Sequence, residues 1–268
     1  MVDILISVKA DLASSIAIRY AGQLGELVNI ALQPIHVKEP DQKGNLFGTG
    51  WVRHTWEHAL AEKGEEEINL LIKTERRYCP VLAAPRVVVG DREAELLREL
   101  QSGAYDLFME GVLASFNEAD FRKLIRSKLY QNAPCPIIVV KNLVGLEKVA
   151  LFIQQGTNPN HLVDQFVGVL GKAGFSLDLV YYSSVDGSTD LQVNQDGGEV
   201  MELNETRRVL EAKGQRTGDC VVVSGPPRKV GEYLSVYGLV ACPIKDEIQR
   251  KGPASAVLAH TPSPLFIC

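Results

Sequence analysis

The sequence predicts an α/β protein of two similar halves, each a doubly wound parallel sheet of five strands with helices on both faces. Three observations predict this fold. The segment SKLYQNAPCPIIVV, residues 127–140, aligns without a gap with SAVLAHTPSPLFIC, residues 255–268. The openings of the two halves also match, and apolar strand-like runs alternate with amphipathic helix-like runs in both. Because such alternation is typical of parallel sheets covered by helices, we place two domains at residues 1–143 and 148–268.

Each half opens with an apolar strand, a short polar turn, an amphipathic helix and a second strand. The first half begins with ILISV and the second with VALFIQ. The helix that follows has apolar residues at the spacing of one helix face in both halves. These residues are Ala17, Ala21, Leu24 and Val28 in the first half, and Leu162, Phe166, Val169 and Leu170 in the second.

The middle of the first half contains a third strand, a helix and a fourth strand. We predict the strand at Val87–Val89, the helix at Glu93–Leu100 and the fourth strand at Asp106–Glu110. A long helical segment, about Trp51–Arg77, precedes them and lies between the second and third strands. We predict that only the first half has this helix.

The middle of the second half is predicted by analogy with the first half, from which it differs in two places. A polar loop replaces the long helix, and the third strand follows at Val200–Leu203. The next helix is predicted at Glu205–Ala212 and the fourth strand at Asp219–Ser224. An insertion, Gly225–Gly252, then separates this strand from the last helix.

Both halves end in a Pro-x-Pro motif, at Pro134/Pro136 and at Pro262/Pro264. The residue before a proline avoids the helical conformation, so the last helix of each half ends there. The second proline can open a strand, because a missing N–H is tolerated at a strand start. A helix followed by a final strand is therefore predicted twice.

Composition and charge exclude several classes of protein. The net charge is −5 and there is no basic block, so we expect no binding to nucleic acid. No apolar run approaches the roughly 20 residues of a membrane span, and the first residues resemble a strand rather than a signal peptide. The five cysteines lack C-x-x-C spacing. We expect a protein of the reducing cytoplasm without a disulfide framework or membrane contact.

Several motifs resemble those of the universal stress proteins. ILISVKADLAS and IHVKEP are similar to the first strand and to the end of the second strand of that family. VVVGDREAELL, YDLFMEG and NAPCPIIVVK resemble its third strand with the following helix, its fourth strand and its terminal motif. GDCVVVSG and AVLAHTPSPLFIC carry the resemblance into the second half more loosely. Their order and duplication are similar to the tandem type of this family.

This resemblance implies two adenine nucleotide alpha-hydrolase-like domains packed as a pseudo-dimer, with ATP or AMP as a possible cofactor. Nucleotide-binding members carry an acidic residue after the first strand and a glycine-rich phosphate loop, G-x-x-G followed nine residues later by G-S or G-T. Glycines allow backbone N–H groups to approach a phosphate. The candidate ligand-binding residues are Lys9, Asp11, Val37, Gly90, Gly111, Lys123, Gly225 and Arg228.

The sequence departs from the nucleotide-binding pattern in both halves. Lys9 stands at the acidic position, Ala114 replaces the second glycine of the loop, and Lys123-Leu124 stand where Gly-Ser is expected. A bulky leucine there is incompatible with close approach to a phosphate. The second-half departures are Gln154, Arg228 and Lys251-Gly252. We therefore expect nucleotide binding at the standard site to be lost or weak.

An alternative is that basic side chains replace the backbone donors. Lys9, Arg122, Lys123 and Arg126 could bind an anion other than ATP. They could equally be solvated surface charges that bind no ligand.

The pentapeptide His54-Thr55-Trp56-Glu57-His58 spells H-x-x-E-H, the inverted form of a zinc-peptidase signature. On a helix, His54 and His58 lie one turn apart on one face, as two zinc ligands would. The alternative is a charged turn of a helix that only one half has, with Trp51 and Trp56 forming a packing surface. A zinc-dependent hydrolase is thus one possible function, and we favour the packing surface.

The function that we expect is a non-enzymatic cytoplasmic stress response, through binding of a small-molecule ligand or a protein partner. One alternative is an ATP- or AMP-binding universal stress protein with slow ATP hydrolysis or autophosphorylation. Another is a regulatory module of a transporter or kinase. A homodimer is possible for each.

Overall fold

The structure is a computed structural model that describes residues 1–40, 51–113, 117–184, 189–195, 200–243 and 252–268, and only the backbone for residues 51–54. Ala114 and Lys251, which the sequence places in the phosphate loops, lie outside the described residues, as do the side chains of Trp51 and His54.

The first half contains five strands and five helices within the described residues. The strands are β1 Val2–Ser7, β2 Ile30–Lys38, β3 Arg86–Val89, β4 Leu107–Gly111 and β5 Ile137–Val140. The helices are α1 Leu12–Leu27, α2 Trp51–Glu75, α3 Arg92–Ser102, α4 Glu118–Ile125 and α5 Lys128–Asn132.

The second half contains six strands and four α-helices within the same described ranges. The strands are β6 Val149–Gln154, β7 Ser176–Ser183, β8 Gln192–Asn194, β9 Arg216–Ser224, β10 Leu239–Cys242 and β11 Leu265–Ile267. The helices are α6 Pro159–Leu170, α7 Met201–Ala212, α8 Pro227–Tyr233 and α9 Pro253–His260. Short 3₁₀ turns at Gly171–Ala173 and Leu234–Val236 follow α6 and α8.

All described strands belong to one sheet, in the order β3-β2-β1-β4-β5-β11-β10-β6-β7-β9-β8. The five strands of the first half are parallel, and β6, β7, β9, β10 and β11 repeat their order on the other side. The halves join where β5 pairs antiparallel with β11. Strand β8 adds an antiparallel edge to β9. The predicted architecture is confirmed, and the domain limits stay a prediction.

Helices cover both faces of this sheet, as predicted. One face buries apolar side chains under α1, α2, α6 and α7, and the other does so under α3, α4, α5, α8 and α9. Each apolar cluster runs through both halves. The core is therefore continuous across the β5–β11 pair.

The predicted order of strands and helices in the middle of the second half was wrong. The segment Val200–Leu203 is not a strand, because Met201 begins helix α7, which buries Leu203, Thr206 and Leu210. Helix α7 lies between the second and third strands of its half, so α2 has a counterpart there.

The third strand of the second half is β9, which the sequence had suggested as the fourth. The true fourth strand is β10, because it pairs with β6 and β11. It lies inside the segment Gly225–Gly252 that the sequence had suggested as an insertion. A strand of four residues with the sequence LVAC carries too little periodicity to be recognised.

Side chains from both halves meet across the junction. The Tyr20 hydroxyl of α1 is fully buried and donates to the Gly238 carbonyl at 2.9 Å. The Lys141 ammonium, just after β5, donates to the carbonyls of Leu258 at 2.9 Å and Thr261 at 2.6 Å. These carbonyls lie at the C-terminal end of α9, where a cation is favoured.

All five cysteines are buried and none forms a disulfide. Within the described residues, no helix has both the length and the apolar character that crossing a membrane requires.

Candidate functional site

The carboxyl ends of β1 and β4 mark the switch point where helices leave to opposite faces, the usual place for a ligand in open α/β sheets. Lys9 is exposed there. The Asp11 carboxylate caps α1 and accepts the Ser14 N–H at 2.8 Å. Gly111 ends β4, and a Cβ on it would lie 2.0 Å from the Ala13 carbonyl oxygen. This glycine thus allows α1 to pack on β4.

Two further candidates of the first half, Val37 and Gly90, take part in packing and backbone hydrogen bonding. Val37 is buried in β2. Gly90 follows β3, and its N–H donates to the Lys38 carbonyl at 3.2 Å. A Cβ on Gly90 would lie 2.7 Å from Glu95 Oε1. These positions hold the edge of the sheet together.

The second-half candidates do not lie where the family pattern requires. Gly225 and Arg228 follow β9, the third strand of the half, and not the fourth strand β10. Gly225 has φ +132, a conformation that favours glycine, and Arg228 is exposed and pairs with Glu232 at 3.1 Å. The phosphate-loop position of this half follows β10 instead, and residues 244–251 lie outside the described part of the chain.

The structure places a cleft of about 820 Å³ between the start of α3 and the α4–α5 segment. We call it the α3–α4 cleft. Its lining residues are Arg92, Glu93, Ala119, Asp120, Arg122, Lys123, Leu124, Arg126, Ser127, Leu129 and Tyr130. Arg92, Glu93, Arg126 and Ser127 also line an adjoining cavity of about 900 Å³ along α3.

A buried network fixes Arg92 at the floor of the α3–α4 cleft. Its guanidinium forms an ion pair with Glu110 of β4 and lies 3.2 Å from the Ser7 hydroxyl of β1. The Tyr130 hydroxyl donates to the other Glu110 oxygen at 2.5 Å. Burial, with the adjacent Glu110 carboxylate, raises the pKa of Tyr130 well above its ordinary value, so this hydroxyl stays protonated and keeps donating.

The rim of the α3–α4 cleft carries positive charge. Lys123 and Arg126 are exposed, and neither forms an ion pair with another described residue. Arg122 lies 3.4 Å from Glu118, and the Nε atoms of Arg92 and Arg122 are buried without a hydrogen-bond acceptor among the described residues. Two exposed cations without an ion-pair partner among the described residues make the rim of this cleft suited to an anion.

The described residues of the second half enclose a much smaller cavity near the ends of β6 and β10. Where α9 meets the ends of β6 and β10, the cavity measures about 10 Å³, about the space of one water molecule. Phe152, Gln154, Cys242, Ser255 and Leu258 are among its lining residues. This cavity is too small for a nucleotide.

The H-x-x-E-H pentapeptide lies in the first turns of α2. His58 is exposed and pairs with Glu62 at 3.5 Å, and Trp56 is half-buried. Among the described residues, no three His, Cys, Asp or Glu side chains lie close enough to hold a metal ion. Because the His54 side chain lies outside these residues, the zinc hypothesis stays a prediction.

No protein-family model matches the chain, and no curated protein matches it significantly. A solved universal stress protein from Archaeoglobus fulgidus DSM 4304 superposes with a TM-score of 0.67, covering 99% of this chain and 97% of that chain at 15% identity. The chain has the universal stress protein fold. A putative universal stress protein from Pseudomonas aeruginosa UCBPP-PA14 matches with a TM-score of 0.56, covering 99% and 92% at 13% identity.

Because the first match spans both chains almost completely, the two halves together correspond to one chain with the universal stress protein fold. Of the residues that the sequence singled out, the structure brings Arg122, Lys123 and Arg126 to one cleft and leaves Lys9 outside its lining. Arg92, Glu110 and Tyr130 were missed. A charged residue in the otherwise apolar strand LFMEG was the available signal.

Proposed function

We propose that the chain is a tandem universal stress protein that acts in the cytoplasm by binding an anionic small molecule in the α3–α4 cleft, without catalysing a reaction. The observation that carries this proposal is that Lys123 and Arg126, which form no ion pair with another described residue, line the same cleft as the Arg92 guanidinium. An anion would give Lys123 and Arg126 an acceptor that the described residues do not provide. Charge-assisted hydrogen bonds of this kind are the stronger ones in proteins.

The residues at the family's standard nucleotide-binding positions support a site in the α3–α4 cleft instead. Lys9 replaces the acidic residue, and the Asp11 carboxylate is already engaged with the first turn of α1. Leu124 occupies a phosphate-loop position and is one of the residues that line the cleft. A ligand in the α3–α4 cleft would therefore contact side chains rather than a glycine-rich backbone.

Calorimetric titration with ATP, AMP and a cyclic dinucleotide tests the proposal on the full chain. The double variant Lys123→Glu/Arg126→Glu reverses both charges, and we expect it to weaken anion binding roughly tenfold or more. Arg208→Glu is the matched control, because Arg208 is an exposed cation of α7 in the other half. No heat with any of the three ligands would refute the anion site.

Three further measurements, of ATP turnover, of partner binding and of oligomeric state, separate the remaining alternatives. ATP turnover that survives in the double variant would favour a slow ATPase at another site. Binding of a protein or a second copy of the chain, without any nucleotide, would favour a regulatory module or a homodimer. The molar mass of the ligand-free protein, measured by light scattering, gives its oligomeric state.

A further inference from the structure

Helix α4 separates the α3–α4 cleft from the second half of the molecule. One side of α4 carries Arg122 and Lys123, which line the cleft. The other side packs against α9 of the second half. Phe121 is fully buried, and its ring centroid lies 5.6 Å from the Lys141 ammonium nitrogen. A change on the α9 side of this two-turn helix therefore lies close to the cleft.

Glu118, the first residue of α4, lies between two basic groups from different halves. Its Oε2 atom is 3.4 Å from Arg122 Nη2, and its Oε1 atom is 3.5 Å from Nε2 of His260, the last residue of α9. All three side chains are between 30% and 41% exposed. Both contacts are thus weak enough to be broken and formed again without unfolding.

The charge state of His260 decides how Glu118 is shared. A neutral imidazole gives the carboxylate one cationic partner, Arg122. A protonated imidazole competes for the same carboxylate, so Arg122 loses part of its neutralising partner. An anion in the cleft then meets a stronger positive charge.

We propose that Glu118 couples the anion site of the first half to the protonation of His260 in the second half. The inference rests on the proposed function of the cleft and adds its regulation. Anion binding draws Arg122 away from Glu118, which leaves the carboxylate to a protonated His260. By linkage, protonation of His260 strengthens anion binding by the same factor.

Other charged groups near His260 are already engaged. Helix α8 packs Gly231 against His260, and its Arg228 pairs with Glu232 at 3.1 Å. Lys229 of α8 pairs with Asp190 at 2.7 Å, and Lys141 donates to carbonyls at the end of α9. Asp120 and Lys123 are the further charged residues of α4. Within the described residues, Glu118 is the carboxylate at ion-pair distance from His260.

The test uses sulfate, whose charge is constant between about pH 5.5 and about pH 8, the range in which histidines titrate. We expect the wild type to bind sulfate about two- to fivefold more tightly at the lower pH, from the usual strength of exposed ion pairs. His260→Gln should lose this dependence on pH. His161→Gln is the matched control, because His161 is exposed on α6 at the opposite face of the sheet.

Glu118→Gln should bind sulfate tightly at both pH values, because Arg122 has no carboxylate to neutralise it. A wild-type pH dependence in His260→Gln or in Glu118→Gln would overturn the proposal. A second readout needs no ligand: the guanidinium carbon resonance of Arg122 should shift with pH in the wild type and not in His260→Gln. If sulfate does not bind, the nucleotide titration decides the function of the cleft, and the Arg122 resonance still decides the coupling.

Discussion

Glu110 and Lys141 are two charged residues of the first half that differ in how their charge is balanced. Glu110 is 4% exposed in the central strand β4, and Lys141 follows β5 at the junction of the halves. Each charge is satisfied differently. Glu110 has a cation and a hydroxyl as partners, and Lys141 has the carbonyls at the end of a helix.

Replacing Glu110 tests the network under the α3–α4 cleft. Glu110→Gln removes the charge that balances the Arg92 guanidinium while it keeps the shape of the side chain. We expect the free energy of unfolding to fall by about 2 kcal/mol or more, because breaking a buried ion pair leaves one charge uncompensated. Urea unfolding measures the loss. Glu205→Gln, at an exposed position of α7, should change stability little, and an equal loss in both variants would contradict this role.

Lys141 gives the stability a defined dependence on pH. Burial lowers the pKa of its ammonium from 10.5 to about 7. Between these values the unfolded chain binds a proton that the folded chain has released, so stability rises with pH. Relative to Lys141→Met, the wild type should gain up to about 1.4 kcal/mol per pH unit between about pH 7 and about pH 10.

Urea unfolding of the wild type and Lys141→Met at several pH values checks this slope. Parallel curves for the two proteins would mean that the carbonyls of Leu258, Ala259 and Thr261 keep the ammonium charged throughout.

At the scale of elements, the start of helix α7 has apolar residues at a spacing that fits both a strand and a helix. In a strand, Met201 and Leu203 would share a face, because side chains alternate with a period of two. In the structure Leu203 is 1% exposed and Met201 is 72% exposed, since the buried face repeats with helical spacing through Thr206 and Leu210. The two residues therefore lie in different environments.

Two single substitutions distinguish the helix from the strand. Leu203→Ala should lower the free energy of unfolding by about 2 to 4 kcal/mol through loss of buried apolar contacts. Met201→Ala should leave it nearly unchanged. Thermal unfolding with circular dichroism measures both, and similar losses in the two variants would support the strand.

The limits of prediction from the sequence have particular physical causes. Alternating strands and helices, both Pro-x-Pro ends and the repeated opening were recognisable because each is a local pattern. The four-residue strand β10 was missed because its place in the sheet comes from pairing with β6 and β11, which are distant in sequence. The α3–α4 cleft was predicted only in part, through Arg122, Lys123 and Arg126. Arg92 was missed because it is distant from them in sequence and joins them only in the folded chain.

The whole molecule is held together by contacts between residues more than 100 positions apart. Tyr20→Phe removes the hydroxyl that bonds to the Gly238 carbonyl and leaves that buried acceptor without its donor. We expect a loss of roughly 1 to 3 kcal/mol in the free energy of unfolding. Hydrogen exchange should show lower protection in both β1 and β6. Tyr78→Phe, on an exposed ring, serves as the control, and protection lost only in β1 would contradict joint unfolding.

The β5–β11 pair affects how the two halves stay together at low protein concentration. Eight residues, 141–148, connect β5 to β6, so the two halves of the sheet meet at an effective concentration on the order of millimolar. Two separate chains that paired through the same strands would separate on dilution. Here pairing is independent of the amount of protein, and the second half remains a fixed neighbour of the cleft even when few copies are present.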